Sequence, residues 1–211
     1  ARCNGAMTMT EVRDNAGVFQ RYFRLKARMI GAPGGKLRRY DLYAPLVKNI
    51  ALTYPYDEAQ KHILASLSPL GDSYVKVAAK GFAERWVDVF PSEGKRAGAY
   101  AQGSAYDVHP FMLLNYNRKY DDMSTLTHEF GQTMHSYLSI AAQPWPTSQY
   151  SIFVAEVAST FNEALLMDHM LKAITQDDVR LTLLGNYLDG IKGTIFRQTQ
   201  FAEFELRIHE M

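Results

Sequence analysis

The chain has 211 residues, 47% of them hydrophobic and 12% aromatic, enough to bury one sizeable domain or two small lobes. Its 23 Lys and Arg against 22 Asp and Glu give a formal net charge of +1, so bulk charge offers no reason to expect nucleic acid or a membrane surface as partner. The single cysteine, Cys3, excludes an internal disulfide and favours a reducing, cytoplasmic setting, and no apolar run approaches the roughly 18 residues that a membrane span needs.

The first residues, ARCNGAMTMTEV, lack the apolar core of a signal peptide. Val18, Tyr22, Leu25 and Met29 recur at helical spacing and predict a helix over 10–30, which glycines and a proline in GAPGGKLRRYD end. Two more helices are expected over 55–67 and 71–90, with Asp57 and Asp72 as caps. Leu64 and Leu67 give the first an apolar side, and Val75, Ala79, Phe82 and Trp86 the second. The stretch from 91 to 118 loses the helical period, and two short strands are expected at about 98–102 and 111–116, joined by GSAYDVHP.

A helix then starts near 122, capped by Asp121 or Asp122, and another follows Ser151 through IFVAEVASTFNEALLMDHML. Thr175 with Asp178 resembles a capping box that opens a last helical region over 175–211. The fold class is therefore mainly α with a small β element. The chain starts without methionine and stops in FELRIHEM, inside an apparent helix, so it reads as a piece of a longer protein.

Two helices carry the chemistry. Met123, Leu126, Phe130, Met134 and Tyr137 make an apolar stripe, and Gly131 leaves room for a neighbouring helix. In HEFGQ, His128 and position 132 are four apart and project side by side. Two histidines at that spacing can chelate one zinc, with the glutamate beside the first as general base, but this chain has Gln132. On the next helix Glu156, Thr160 and Glu163 share a face at i, i+4 and i+7 of a largely apolar sequence. Carboxylates buried there need cations or strong donors, and a zinc ion with its histidine would supply both.

HEFGQTMHSYLS followed by YSIFVAEVASTFNEALL resembles the zinc oligopeptidases of the oligoendopeptidase F and thimet type. GAYAQGSAYDVHPFMLLNY and RRYDLYAPL resemble oligoendopeptidase F in particular, and the likeness runs from about residue 10 to the end. The resemblance implies a helical, two-lobed fold around a deep channel that admits short unfolded peptides. It implies metalloendopeptidase activity with one Zn2+. His128 then matches the first zinc ligand, Glu129 the catalytic base, Glu156 the third ligand and Glu163 a carboxylate behind a ligand histidine. Gln132 stands where the family has its second zinc histidine. The segment near 98–105 would run beside the substrate backbone as an added strand, with Gly103, Ser104, Tyr106 and His109 as candidates to line the channel.

The resemblance makes the whole chain, 1–211, a partial catalytic domain whose remaining walls belong to the parent peptidase. Gln132 and the missing C-terminal tyrosine- and histidine-containing segment predict an impaired or inactive form. A non-catalytic peptide-binding pseudopeptidase is the alternative. His135, two turns or about 10.5 Å of rise from His128, is too far to share an ion with it. His109 can equally bond backbone, Tyr106 and Tyr150 can equally pack, and His62, His169 and His209 have no paired ligand in the sequence.

Overall fold

A computed structural model describes residues 9–47, 50 and 52–211, so Cys3 lies outside the described residues. The chain forms two compact units, Ala51–Ile174 and a second built from Ala1–Ile50 with Thr175–Met211.

In the second unit the expected first helix is two, α1 (Met9–Asp14) and α2 (Ala16–Met29), broken at Asn15. Of the apolar stripe read from α2 only Tyr22 is buried: Val18, Leu25 and Met29 are exposed, and Lys26 and Ala27 join Tyr22 in the interior. Lys26 is the reason. Its ammonium donates to Leu42 O and to Asp189 Oδ2, each at 2.8 Å, so a charged residue can occupy the interior. Asp189 lies on α7 (Asp177–Ile191), which passes through a π-helical turn at Lys192–Phe196 into α8 (Arg197–His209). Tyr22 OH donates to Gly185 O at 3.4 Å, Phe19 meets Phe196 with ring centroids 4.7 Å apart, and Arg13 pairs with Glu203. These contacts join the N-terminal helices to the C-terminal ones.

The other unit begins with α3 (Tyr56–Ser66) and α4 (Asp72–Ala83). Pro55 and Gly71 occupy the cap positions, so Asp57 and Asp72 sit inside the first turns, where their charge suits the helix dipole. The α4 helix stops seven residues short of the expected 90. Arg85 takes a left-handed φ of 61°, and the Trp86 amide turns back to Gly81 O at 3.0 Å. A glycine usually marks such a cap, and its absence hid the strand that follows.

That strand, β1 (Val87–Asp88), joins β2 (Tyr100–Gln102) and β3 (Phe111–Leu113) in a sheet of order β1-β3-β2. The β1/β3 pair is parallel and β2/β3 antiparallel, with Ala101 opposite Met112. Met112 N donates to Trp86 O at 2.8 Å, so β3 spends its Met112 amide on β1 and β2 is left as an edge strand.

Two long helices, α5 (Tyr120–Ala142) and α6 (Ile152–Ala173), complete the unit. Met123, Leu126, Phe130 and Met134 are fully buried, as the stripe predicts. The α5 cap position is Lys119, and Asp122 acts from inside the helix by accepting the amides of Lys119 at 2.9 Å and Asn117 at 3.0 Å. Likewise α7 is capped at Gln176, with no side-chain cap bond from the expected Thr175 and Asp178 pair. Contacts of residue 124 with 163 and of 132 with 156 show that α5 and α6 run antiparallel. At their crossing a Cβ on Gly131 would stand 2.6 Å from both Ala158 O and Ser159 Cα, so only glycine permits this approach.

Candidate active site

The close approach at Gly131 brings the polar faces of α5 and α6 together. His128 and Gln132 project from α5, one turn apart, toward Glu156 and Glu163 on α6. His128 Nδ1 donates to Glu163 Oε1 at 2.6 Å, and Ser124 Oγ reaches the other oxygen of Glu163 at 3.4 Å. The opposite ring nitrogen, Nε2, lies 3.2 Å from Glu156 Oε2. The Gln132 amide lies 3.2 Å from His128 Nε2 and 3.2 Å from Glu156 Oε1. Ser159 Oγ holds Glu156 Oε2 at 2.8 Å.

The His128 ring nitrogen, the Gln132 amide and the Glu156 carboxylate thus stand 3.2 Å from one another, His128 facing one oxygen of Glu156 and Gln132 the other. Ligands about 2.0–2.1 Å from a tetrahedral ion stand roughly 3.3–3.4 Å apart, so the placement suits a small cation with one position left open. The donor set is weaker than the placement. Among the described residues no group of three or more His, Cys, Asp or Glu is disposed to hold a metal ion. Gln132 supplies a neutral amide in the third place, through its oxygen once the amide is turned.

Glu129 is one position round the helix and differs from its neighbours. It is buried, 7% exposed, while the side chains of Glu156 and Glu163 are 43% and 37% exposed. The α6 carboxylates are partly buried, as expected of a helix this apolar, and they are not buried more deeply because α6 turns Phe153, Val157 and Phe161 outward and buries Ala155, Ser159, Asn162 and Leu166. Glu129 Oε2 has no hydrogen-bond partner among the described residues. Burial raises the Glu129 pKa above the ordinary carboxylate value; His128 and a hydrogen bond from the Ala101 backbone oppose this, and Glu156 and Glu163 add to it. In His128, burial favours the neutral ring, but the hydrogen bond and charge of Glu163, with the charges of Glu129 and Glu156, prevail and raise its pKa.

The edge strand runs beside this cluster. Ala101 reaches Glu129, and a Cβ on Gly103 would stand 2.1 Å from Ser136 Oγ, so the backbone at 103 lies directly on α5. Other candidates stand apart. Ser104 takes a hydrogen bond from Gln102, and Tyr106 OH donates to Gln143 O at 3.0 Å. His109 stacks on Trp86 with planes 4° apart, and its Nδ1 lies 2.8 Å from Pro110 O. His135 packs edge-on against Tyr150, whose hydroxyl bonds Ser136 Oγ. Sequence reasoning missed Ser124, Ser159 and the Ala101 amide. The two serines carried a signal, since each sits within one turn of a cluster residue on a polar face; the amide carried none.

The peptidase family M3 profile matches residues 6–211. The chain belongs to peptidase family M3. Within the family it is 44% identical over 192 residues to oligopeptidase PepF of Bacillus subtilis, covering 91% of this chain and 28% of that protein. It is 44% identical over 198 residues to group B oligopeptidase PepB of Streptococcus agalactiae, covering 94% and 32%. A crystal structure of a peptidase from Chlamydophila abortus superposes with a TM-score of 0.82 at 42% identity, over 96% of this chain and 33% of that one. Oligoendopeptidase F from Enterococcus faecium gives a TM-score of 0.60 at 30% identity, over 96% and 27%. The chain therefore spans about a third of the length of these family members. No helix among the described residues is long and apolar enough to cross a membrane.

Proposed function

We propose that this chain carries the catalytic core of a zinc metalloendopeptidase acting on short, unfolded peptides, with the metal site weakened at Gln132. The observation that supports the reading most is the convergence of His128 Nε2, the Gln132 amide and the Glu156 carboxylate at 3.2 Å separations, beside a buried Glu129 with one oxygen unpartnered among the described residues. His128 and Glu156 would hold Zn2+, with Gln132 as a neutral third ligand. Bound zinc would supply Lewis-acid polarisation and lower the pKa of water toward about 7.

The protein's own groups have separable parts in this reading. Glu163 fixes the His128 ring by accepting the hydrogen bond from its Nδ1–H, which leaves the Nε2 lone pair directed at the site. Ser159 fixes Glu156 in the same sense. Glu129 is aimed by the Ala101 backbone and kept from bulk water, and its raised pKa suits a group that takes a proton and gives it back. It removes a proton from the attacking water and delivers one to the nitrogen of the departing amine. The edge strand β2, whose Ala101 amide already donates to Glu129, would take the peptide main chain alongside it, and Gly103 keeps that strand close to α5. Ser104, Tyr106 and His109 belong to the loop beyond it and contribute shape rather than chemistry.

A non-catalytic peptide binder is the second reading, favoured by the Gln132 amide, which donates to Glu156 and closes the cluster without a metal. One comparison separates the two. In a full-length family chain with these residues and Gln132→His, Glu129→Gln should abolish hydrolysis while zinc and peptide stay bound. Glu156→Gln should loosen the zinc itself. If Glu129→Gln loses its zinc or still cleaves near the parental rate, Glu129 is not the base.

A further inference from the structure

Away from the Glu156 cluster, α3 and α6 also meet through a pair of imidazoles. His62 Nδ1 and His169 Nε2 stand 3.2 Å apart, with ring planes inclined at 60°. The His62 side chain is 26% exposed and His169 is partly buried, so solvent reaches the pair. The surroundings hold the His62 ring in place. Tyr54 packs edge-on against His62 with centroids 5.6 Å apart. Glu58 Oε1, one turn earlier on α3, lies 3.8 Å from His62 Nε2. That carboxylate favours the tautomer protonated at Nε2, which leaves the Nδ1 lone pair facing His169. Burial and then the facing His62 lower the His169 pKa; Asp168 opposes this and Lys172 adds to it, so the second ring is also ready as a neutral donor.

An ion about 2.0–2.1 Å from each of two nitrogens 3.2 Å apart would see them at roughly 99–106°, close to the tetrahedral angle. We propose that His62 and His169 form a second metal site, for a transition-metal ion with imidazole preference such as Zn2+, Cu2+ or Ni2+, clamping α3 to α6. Imidazole selects these metals over Mg2+ and Ca2+. Two protein ligands leave the other positions to water, so the ion exchanges freely. Six residues of α6, about 9 Å of rise, separate His169 from Glu163, and the two clusters share no side chain. The site does not depend on the peptidase reading.

The test uses this chain with His128→Ala and Glu156→Gln, which removes the strong donors of the other cluster. Equilibrium dialysis against Zn2+ near neutral pH should find one ion per chain. The ring nitrogen resonances of His62 and His169 should shift together as zinc is added, and the melting temperature should rise with zinc concentration. His62→Gln and His169→Gln should each abolish the bound ion and the rise, with melting in EDTA reporting that the fold persists. Zinc that leaves both ring resonances unmoved in the His62/His169 chain overturns the site, and so does an ion retained by folded His62→Gln.

Discussion

Glu163 and Glu156 both touch His128, yet they act on different nitrogens, and that difference can be measured. Glu163 accepts from Nδ1 at 2.6 Å and is the largest influence raising the His128 pKa. In the metal-free chain Glu163→Gln should therefore move the His128 titration down, as followed by its ring proton resonances. The sign carries over to stability. A raised imidazole pKa contributes stability that is complete below the usual 6.5 and is lost as pH rises through the folded value. Glu163→Gln should flatten that loss; an unchanged His128 titration would remove Glu163 from its role. At this scale the sequence was informative where spacing fixes geometry. His128, Gln132, Glu156 and Glu163 are brought together by helical period on two neighbouring helices. Burial was less legible: Glu129 is the deeply placed carboxylate, because β2 covers it, and strand placement leaves no mark on HEFGQ itself.

Among the elements, the α5/α6 crossing sets the site, and Gly131 sets the crossing. Gly131→Ala drives a methyl against the backbone of Ala158 and Ser159 at 2.6 Å, and two helix backbones cannot yield as a flexible side chain can. The substitution should cost about 1–3 kcal/mol in urea unfolding. It should also weaken metal binding, because Ser159 holds Glu156 and moves with it. Full stability with unchanged metal affinity would contradict this account of the crossing. Asp122→Ala, which removes the acceptor for the Lys119 and Asn117 amides, should cost roughly 1 kcal/mol without touching the cluster. The long helices were legible because period and apolar stripe agree. The end of α4 was not, since a left-handed Arg85 in place of glycine gave no stop signal, and β1, two residues long, is too short to show an alternation.

At the scale of the whole molecule, every residue of the cluster lies within Ala51–Ile174, while α1 and α2 pair with α7, α8 and the turn between them in the second unit. The α2 face could not be read correctly from apolar period because Lys26 is buried by partners 16 and 163 residues away. Lys26→Ala strands Leu42 O and part of Asp189, which keeps Lys192 at 3.3 Å. The loss should be about 2–3 kcal/mol, below the usual cost of breaking a buried pair because Asp189 is partly exposed. Zinc affinity should stay as it was. The central claim, that the cluster is a zinc site weakened by one amide, is tested most directly by zinc affinity under chelator competition for this chain and for Gln132→His. Replacing a neutral amide by an imidazole should tighten binding by at least about 10–100-fold, the range seen even for partners outside the ligand set, and Glu156→Gln should reverse the gain. Equal affinity for the two chains, or a gain that survives Glu156→Gln, would contradict the account.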